Sequence, residues 1–208
     1  ALDDAPPDNL VVPQLWAHLA TPDRVRQLLA GDNIDYAALN RILDQMPVST
    51  VADILMDALV ESESRTARMT LFKRLAAMDM SGHEPLVAER LKDERWFVQR
   101  NMLALLNEKN VYSETLSPAP FARHEDPRVR REALQLWMRS PGERDRAVCV
   151  ALTDADERAF RAALAEAQKR VPEAAVPLIA KRVAEPLPSE LRVAAIRVLR
   201  GMRSQTGL

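Results

Sequence analysis

Cysteine occurs once in the chain, at Cys149, so neither an intramolecular disulfide nor a cysteine-rich zinc site can form within it. Histidine occurs three times and glycine five times, and the glycines at 31, 82, 142, 201 and 207 make no phosphate-cradling loop. Aromatic residues are scarce and lysine is scarcer, with five lysines among twenty-nine basic residues. No Asn-Gly or Asp-Gly turn appears, nor any sustained alternation of Val, Ile or Thr, which removes the usual signals of strands and hairpins. No apolar run approaches the length that crosses a bilayer, so no membrane association is expected and the cytoplasm is the expected location. The chain opens ALDDAPPDNL, without methionine and without a signal peptide, and is expected to be part of a longer protein or a processed one.

What remains is alanine, leucine, arginine and glutamate, which lose little side-chain freedom in a helical turn. The expected class is all-α. A chain of 208 residues can bury a substantial core, as one domain or two small ones. Net charge is only −1, but its distribution is uneven. Residues 1–64 hold eleven acids against three bases, whereas residues 65–208 hold nineteen acids against twenty-six bases. Solvated helix faces explain such excesses as readily as a binding site does.

The stretch RWFVQRNMLALL, Arg95 to Leu106, has a striped apolar face, and that stripe recurs at intervals of 31 residues. Stepping from Val98 gives Ala67, Val98, Val129, Phe160 and Leu191. Four and five residues further on lie two more apolar columns: Leu71, Met102, Ala133, Leu164, Ala195, then Phe72, Leu103, Leu134, Ala165, Ile196. At this apolar content, three such columns arise by chance at a rate of about 10⁻⁵ before the choice of register. A preceding helix is marked by Leu59, Arg90, Phe121, Leu152 and Val183, and by Leu55, Leu86, Ser117, Val148 and Ile179. Between the two helices each unit carries an acid in its turn: Glu61, Asp93, Asp126, Asp154 or Glu185. PLVAERLKD at 85–93 returns as PLIAKRVAE at 177–185. Neither helix buries its stripe alone, so adjacent pairs are expected to stack.

DPRVRREALQL, Asp126 to Leu136, resembles the second helix of a HEAT repeat in its short bacterial form, and DERWFVQRNMLALL and LPSELRVAAIRVL are similar to the same pattern. The resemblance covers roughly residues 48–203. It implies a right-handed α-α superhelix: a HEAT-like solenoid of stacked antiparallel helix pairs, with about five repeats over residues 48–208. Residues 1–47 are expected to form a divergent helical cap, with helices over about 10–20, 22–30 and 35–46. Pro118 and Pro120 fall where a first helix should run, so that helix is expected to be short or broken.

One residue after each anchor come Arg68, Gln99, Arg130, Arg161 and Arg192. In HEAT proteins the matching arginine commonly pairs with a turn acid and sets the stacking, which is the structural reading of this row. In the functional reading, part of the row joins Arg65, Arg95, Arg100, Arg128 and Arg131 against an acidic ligand on the concave side. Trp96 suits a binding hot spot, or equally a staple packing onto the preceding helix. The candidate partner-binding residues are therefore Arg65, Arg68, Trp96, Arg100, Arg130, Arg131 and Arg161.

HEAT-like deoxyhypusine hydroxylases hold two irons with His-Glu pairs recurring in equivalent positions. His83-Glu84 and His124-Glu125 lie 41 residues apart, out of register with the 31-residue spacing, so no iron site is expected. Cys149 lies in the core-like AVCVAL and has no histidine base in its own helix. Asp154 and Asp156 fall in a turn, where capping explains them. No cofactor and no metal is expected, and the reading is a non-enzymatic module of a larger bacterial protein, binding another protein or another domain of its own chain. The alternative is nucleic acid laid along a basic concave face, as in HEAT-like DNA glycosylases. A phycobilin-lyase-type enzyme, whose repeats have similar length, finds no acid-base constellation here.

Overall fold

The computed structural model describes residues 11–31, 34–62, 64–79, 82–111 and 116–205, with side chains as far as residue 201. Every regular element among them is helical. The chain divides into two compact units, residues 1–86 and 87–208.

The first unit contains α1 (Val11–Leu19), α2 (Pro22–Leu29), α3 (Tyr36–Leu43), α4 (Val48–Glu61) and α5 (Arg65–Ala77). The first three helices fall within a few residues of their expected spans, although Leu10 and Asp32 lie outside the described residues. Their starts have local causes. Pro22 opens α2, where its missing N–H costs nothing. The Asp35 carboxylate accepts from the N–H groups of Ala37 and Ala38 at 3.0 and 3.1 Å and so caps α3. The α4 helix buries Val51, Ala52, Ile54, Leu55, Met56 and Leu59, packing against α2 on one side and α5 on another.

The helix α6 (Glu84–Leu91) spans the boundary, and the second unit continues with α7 (Trp96–Lys109), α8 (Pro127–Trp137), α9 (Arg144–Leu152), α10 (Glu157–Lys169), α11 (Ala175–Ala184) and α12 (Ser189–Gln205). The anchors Ala67, Val98, Val129, Phe160 and Leu191 fall on α5, α7, α8, α10 and α12, each two or three residues after its helix begins. Where Pro118 and Pro120 stand, only a 3₁₀ turn forms, over Ala119–Arg123. Contacts run from α7 to α8, α8 to α10 and α10 to α12, while α9 packs on α8 and α10 and α11 packs on α9 and α12.

The core of this unit collects the inward face of every helix from Ala122 to Val198, with Phe160 its largest fully enclosed side chain. Val98, Val129, Phe160 and Leu191 are inaccessible to solvent, and so are Met102, Ala133 and Ala195. The third apolar column divides. Leu103 and Leu134 are buried, Phe72 is half-buried, and Ala165 and Ile196 are exposed. Apolarity at a spacing fixes which face a residue shares, but a neighbouring helix is still needed to cover it.

Candidate functional site

The arginines expected to mark a binding face fall into three groups once their partners are traced. The first group closes helix ends. Arg68 donates to the Ser62 carbonyl at 2.8 Å, Gln99 to the Leu91 carbonyl at 3.4 Å and Arg192 to the Glu185 carbonyl at 3.3 Å. Those carbonyls lie at or just beyond the C-termini of α4, α6 and α11, where four carbonyls lack helical partners and the helix dipole favours a cation. One position in the 31-residue spacing thus repeatedly serves the end of the helix before it.

Arg130 belongs to this group and to the next. Its Nη1 reaches the His124 and Glu125 carbonyls at 3.0 and 2.9 Å, while Nε and Nη2 grip the two carboxylate oxygens of Asp154 at 2.8 and 3.0 Å. The Asp154 carboxylate is almost wholly buried and in turn holds the Arg130 guanidinium's pKa above its usual value. Next to it, Arg131 donates to Asp156 at 3.0 Å. Asp156 also caps α10, accepting from the N–H groups of Arg158 and Ala159 at 2.7 and 3.1 Å. Burial alone would raise its pKa, but these donors outweigh it and leave it low. Arg130 and Arg131 therefore fasten α8 to the start of α10.

The third group is less enclosed: Arg65 and Arg161 are exposed and Arg100 is half-buried. Arg161 approaches Glu190 at 3.4 Å with both side chains largely in solvent. Arg100 lies 3.7 Å from Glu132 and donates to Asn101 at 3.0 Å. Arg65, at the start of α5 in the first unit, is exposed.

Trp96 is covered from an unexpected direction. The Arg128 guanidinium lies 3.5 Å from the centroid of its ring, and Phe97 meets it edge-on at 5.8 Å. Arg128 is held there by Asp126, which accepts from Nε at 3.1 Å and Nη2 at 2.7 Å while also capping α8 through the Arg128 N–H at 2.8 Å. The Arg128 hydrogen bond draws the Asp126 carboxyl down to about 2, against a smaller opposing effect of burial. Asp93 and Arg95 make the same i, i+2 fork at the start of α7, and Asp93 is lowered for the same reason.

Two arginines escaped the sequence reading. Arg139 donates to the Asn107 carbonyl at 3.0 Å, and Arg144 joins Glu166 at 2.9 Å to the carbonyls of Glu166 and Arg170 at the end of α10. Neither lies in a 31-residue column; only the fold brings them to a helix end. Asn107 adds a third tie, donating to the Glu132 backbone carbonyl at 2.9 Å.

The titratable residues weighed for chemistry are occupied otherwise. Nδ1 of His124 accepts from the Asp126 N–H at 2.9 Å. Cys149 is half-buried, and burial, with the Asp145 carboxylate as a second cause, holds its thiol above the ordinary range. Among the described residues no group of three or more His, Cys, Asp or Glu side chains is arranged to hold a metal, and no helix is long and apolar enough to cross a membrane. No family model, no curated protein and no solved structure matches the chain.

Proposed function

We propose that the chain is a HEAT-like helical scaffold, a right-handed superhelix of helix pairs that binds a protein partner or another domain of its own chain and carries no catalytic activity. The observation that carries this reading is the division among its arginines. Arg130 and Arg131 are committed to holding α8 and α10 together, whereas the exposed Arg161 and the half-buried Arg100 make only long contacts to carboxylates. Ion pairs of that second kind add little to stability, which leaves those guanidiniums available to a ligand. The 31-residue spacing and the HEAT-like second helices support the architecture, and a location in the cytoplasm accords with it.

The basic excess that begins at residue 65 favours a second reading, nucleic acid along the arginine face. Site-specific photo-crosslinkers placed at positions 65, 96, 100 and 161 separate the two in cells. Covalent adducts with one defined protein are expected, lost when Arg100 and Arg161 are replaced by Glu. Adducts confined to nucleic acid, with in-vitro DNA binding that falls by about one log unit per log unit of salt for each phosphate contacted, would establish the second reading instead.

A further inference from the structure

The outer face of α12 is open to solvent and mixes arginines with aliphatic side chains. Three times in this unit an arginine of one helix reaches an acid at the start of the helix after next. Arg130 reaches Asp154 just ahead of α10, Arg131 reaches the Asp156 cap of α10, and Arg161 reaches Glu190 in the first turn of α12. Leu134 and Leu164, on the same helices as these arginines, belong to the buried core.

The α12 helix presents the donor half of this arrangement. Leu191, Ala195 and Val198 point into the core against α10 and α11. At 3.6 residues per turn, Arg192, Ile196 and Arg200 line the opposite side with Val193 and Arg197 beside them. Val193 is 47% exposed and Ile196 37%, and the three arginines are exposed around them. Among the described residues neither Arg197 nor Arg200 has a carboxylate within ion-pair distance. Arg192 and Ile196 stand at the 31-residue positions that in α8 are filled by Arg130 and Leu134. Guanidiniums alone would suit phosphates, but two half-exposed aliphatic side chains set among them suit a ligand with its own apolar stripe.

We propose that this face of α12 docks an amphipathic helix of a partner protein whose first turn carries Asp or Glu. The inference rests on the scaffold reading above and gives that partner its chemistry. The acids of the incoming first turn meet Arg197 and Arg200, the two guanidiniums of this face that have no carboxylate of their own among the described residues. Its apolar stripe covers Val193 and Ile196. An acidic first turn is also favoured within the incoming helix itself, by the helix dipole.

The test is fluorescence anisotropy on the full chain with a labelled, acetylated peptide of about four helical turns. That peptide carries Asp and Glu in its first turn and leucines at helical spacing; a second peptide has the same composition with the acids moved to the last turn. Saturable binding of the first peptide is expected, and at least about ten-fold weaker binding of the second. Arg197→Glu with Arg200→Glu, and separately Ile196→Asp, should each weaken the first peptide about ten-fold. The reversal Arg146→Glu, on α9 of the same unit, should leave it unchanged, and circular dichroism should show every variant folded. No saturable binding, equal affinity for both peptides, equal affinity for polyglutamate, or tighter competition by duplex DNA would each overturn the proposal. So would concentration-dependent dimerisation abolished by Ile196→Asp, which would make a second copy of the chain the occupant. If α12 fails while crosslinkers at positions 65, 96, 100 and 161 still capture one protein, the scaffold reading stands and only its docking face is wrong.

Discussion

Arg128 lies 3.5 Å from the centroid of the Trp96 ring while its own guanidinium is forked onto Asp126. One residue at the start of α8 thus caps a large side chain at the start of α7, and a carboxylate that is itself a helix cap holds it in place. The aromatic face attracts the cation, and the carboxylate limits the rotamers Arg128 can leave for. Removing Arg128 should therefore expose the indole. Arg128→Ala is expected to raise acrylamide quenching of Trp96 in a background with Trp16 and Trp137 replaced by Phe, and to cost about 1 kcal/mol. Arg128→Lys should recover part of the loss, because an ammonium keeps the charge but not the planar fork. Unchanged quenching in Arg128→Ala would mean that the ring is shielded by something else.

The acidic caps set the response to pH. Asp126 titrates near 2 in the folded chain, well below an ordinary aspartate, and Asp93, Asp156 and Glu166 are also lowered. A carboxyl with a depressed folded-state pKa contributes stability that is complete above its unfolded value and disappears as pH falls through the folded one. For Asp126 that window runs from about 4 down to about 2. The urea midpoint should be level from neutrality to about pH 5 and then fall steeply. Asp126→Asn should lower the neutral plateau and flatten the fall. A midpoint that dropped as steeply in Asp126→Asn as in the unaltered chain would assign the acid sensitivity to other carboxylates.

Arg130 and Arg161 occupy the same column one 31-residue step apart, yet their substitution should differ widely in effect. Arg130→Ala strands the buried Asp154 carboxylate and removes donors from two carbonyls, a loss of about 3 kcal/mol. Arg161→Ala breaks only a long, solvent-exposed contact and should cost less than about 1 kcal/mol. A double-mutant cycle between Arg130 and Asp154 should show strong coupling, and one between Arg161 and Glu190 almost none. Equal losses at both positions would remove the distinction between committed and available arginines.

The contrast marks how far the sequence could be read. Helix positions were legible, because a 3.6-residue apolar stripe requires only local chemistry, and so was the interruption at Pro118 and Pro120. The arginine row was legible as a row. Its division was not, because whether a guanidinium meets a buried carboxylate depends on which acid the packing delivers some 24 residues on, at Asp154, or 29 on, at Glu190. Trp96 shows the same limit. Its covering residue, Arg128, belongs to the helix after it, while local pattern pointed to the helix before. Arg139 and Arg144 lay in no column, so their roles at helix ends left no periodic trace.

The third apolar column offers a test of what covers each helix. Leu103 and Leu134 are buried between helices, and Ile196 at the same spacing is exposed on α12. Leu103→Ala and Leu134→Ala should each cost about 3 kcal/mol, as should Met102→Ala in the adjoining column. Ile196→Ala should cost under about 1 kcal/mol in the isolated chain. Leu10, near the start of the sequence and expected to tolerate truncation as terminal segments do, lies outside the described residues. Chemical denaturation of the variants measures all of these losses, and a large one at Ile196 would show that its face is already covered.

Two glycines should respond to alanine with opposite signs. Gly142 follows Pro141 in the turn between α8 and α9, with φ of 77° and the Glu143 N–H bonded to the Ser140 carbonyl at 3.3 Å. Nothing crowds the place where a Cβ would stand, so the whole penalty of Gly142→Ala is backbone strain in the left-handed region, about 1 kcal/mol. Gly201 sits inside α12 with equally open space and no such dihedral. There the methyl group restrains the unfolded chain and favours the helix, so Gly201→Ala should stabilise by about 0.5 kcal/mol. Thermal melts of the two variants should shift in opposite directions, Gly142→Ala down and Gly201→Ala up. A fall at Gly201 would mean that α12 ends before that residue in solution, and the docking face would then shorten to the turns carrying Arg192, Val193, Ile196 and Arg197.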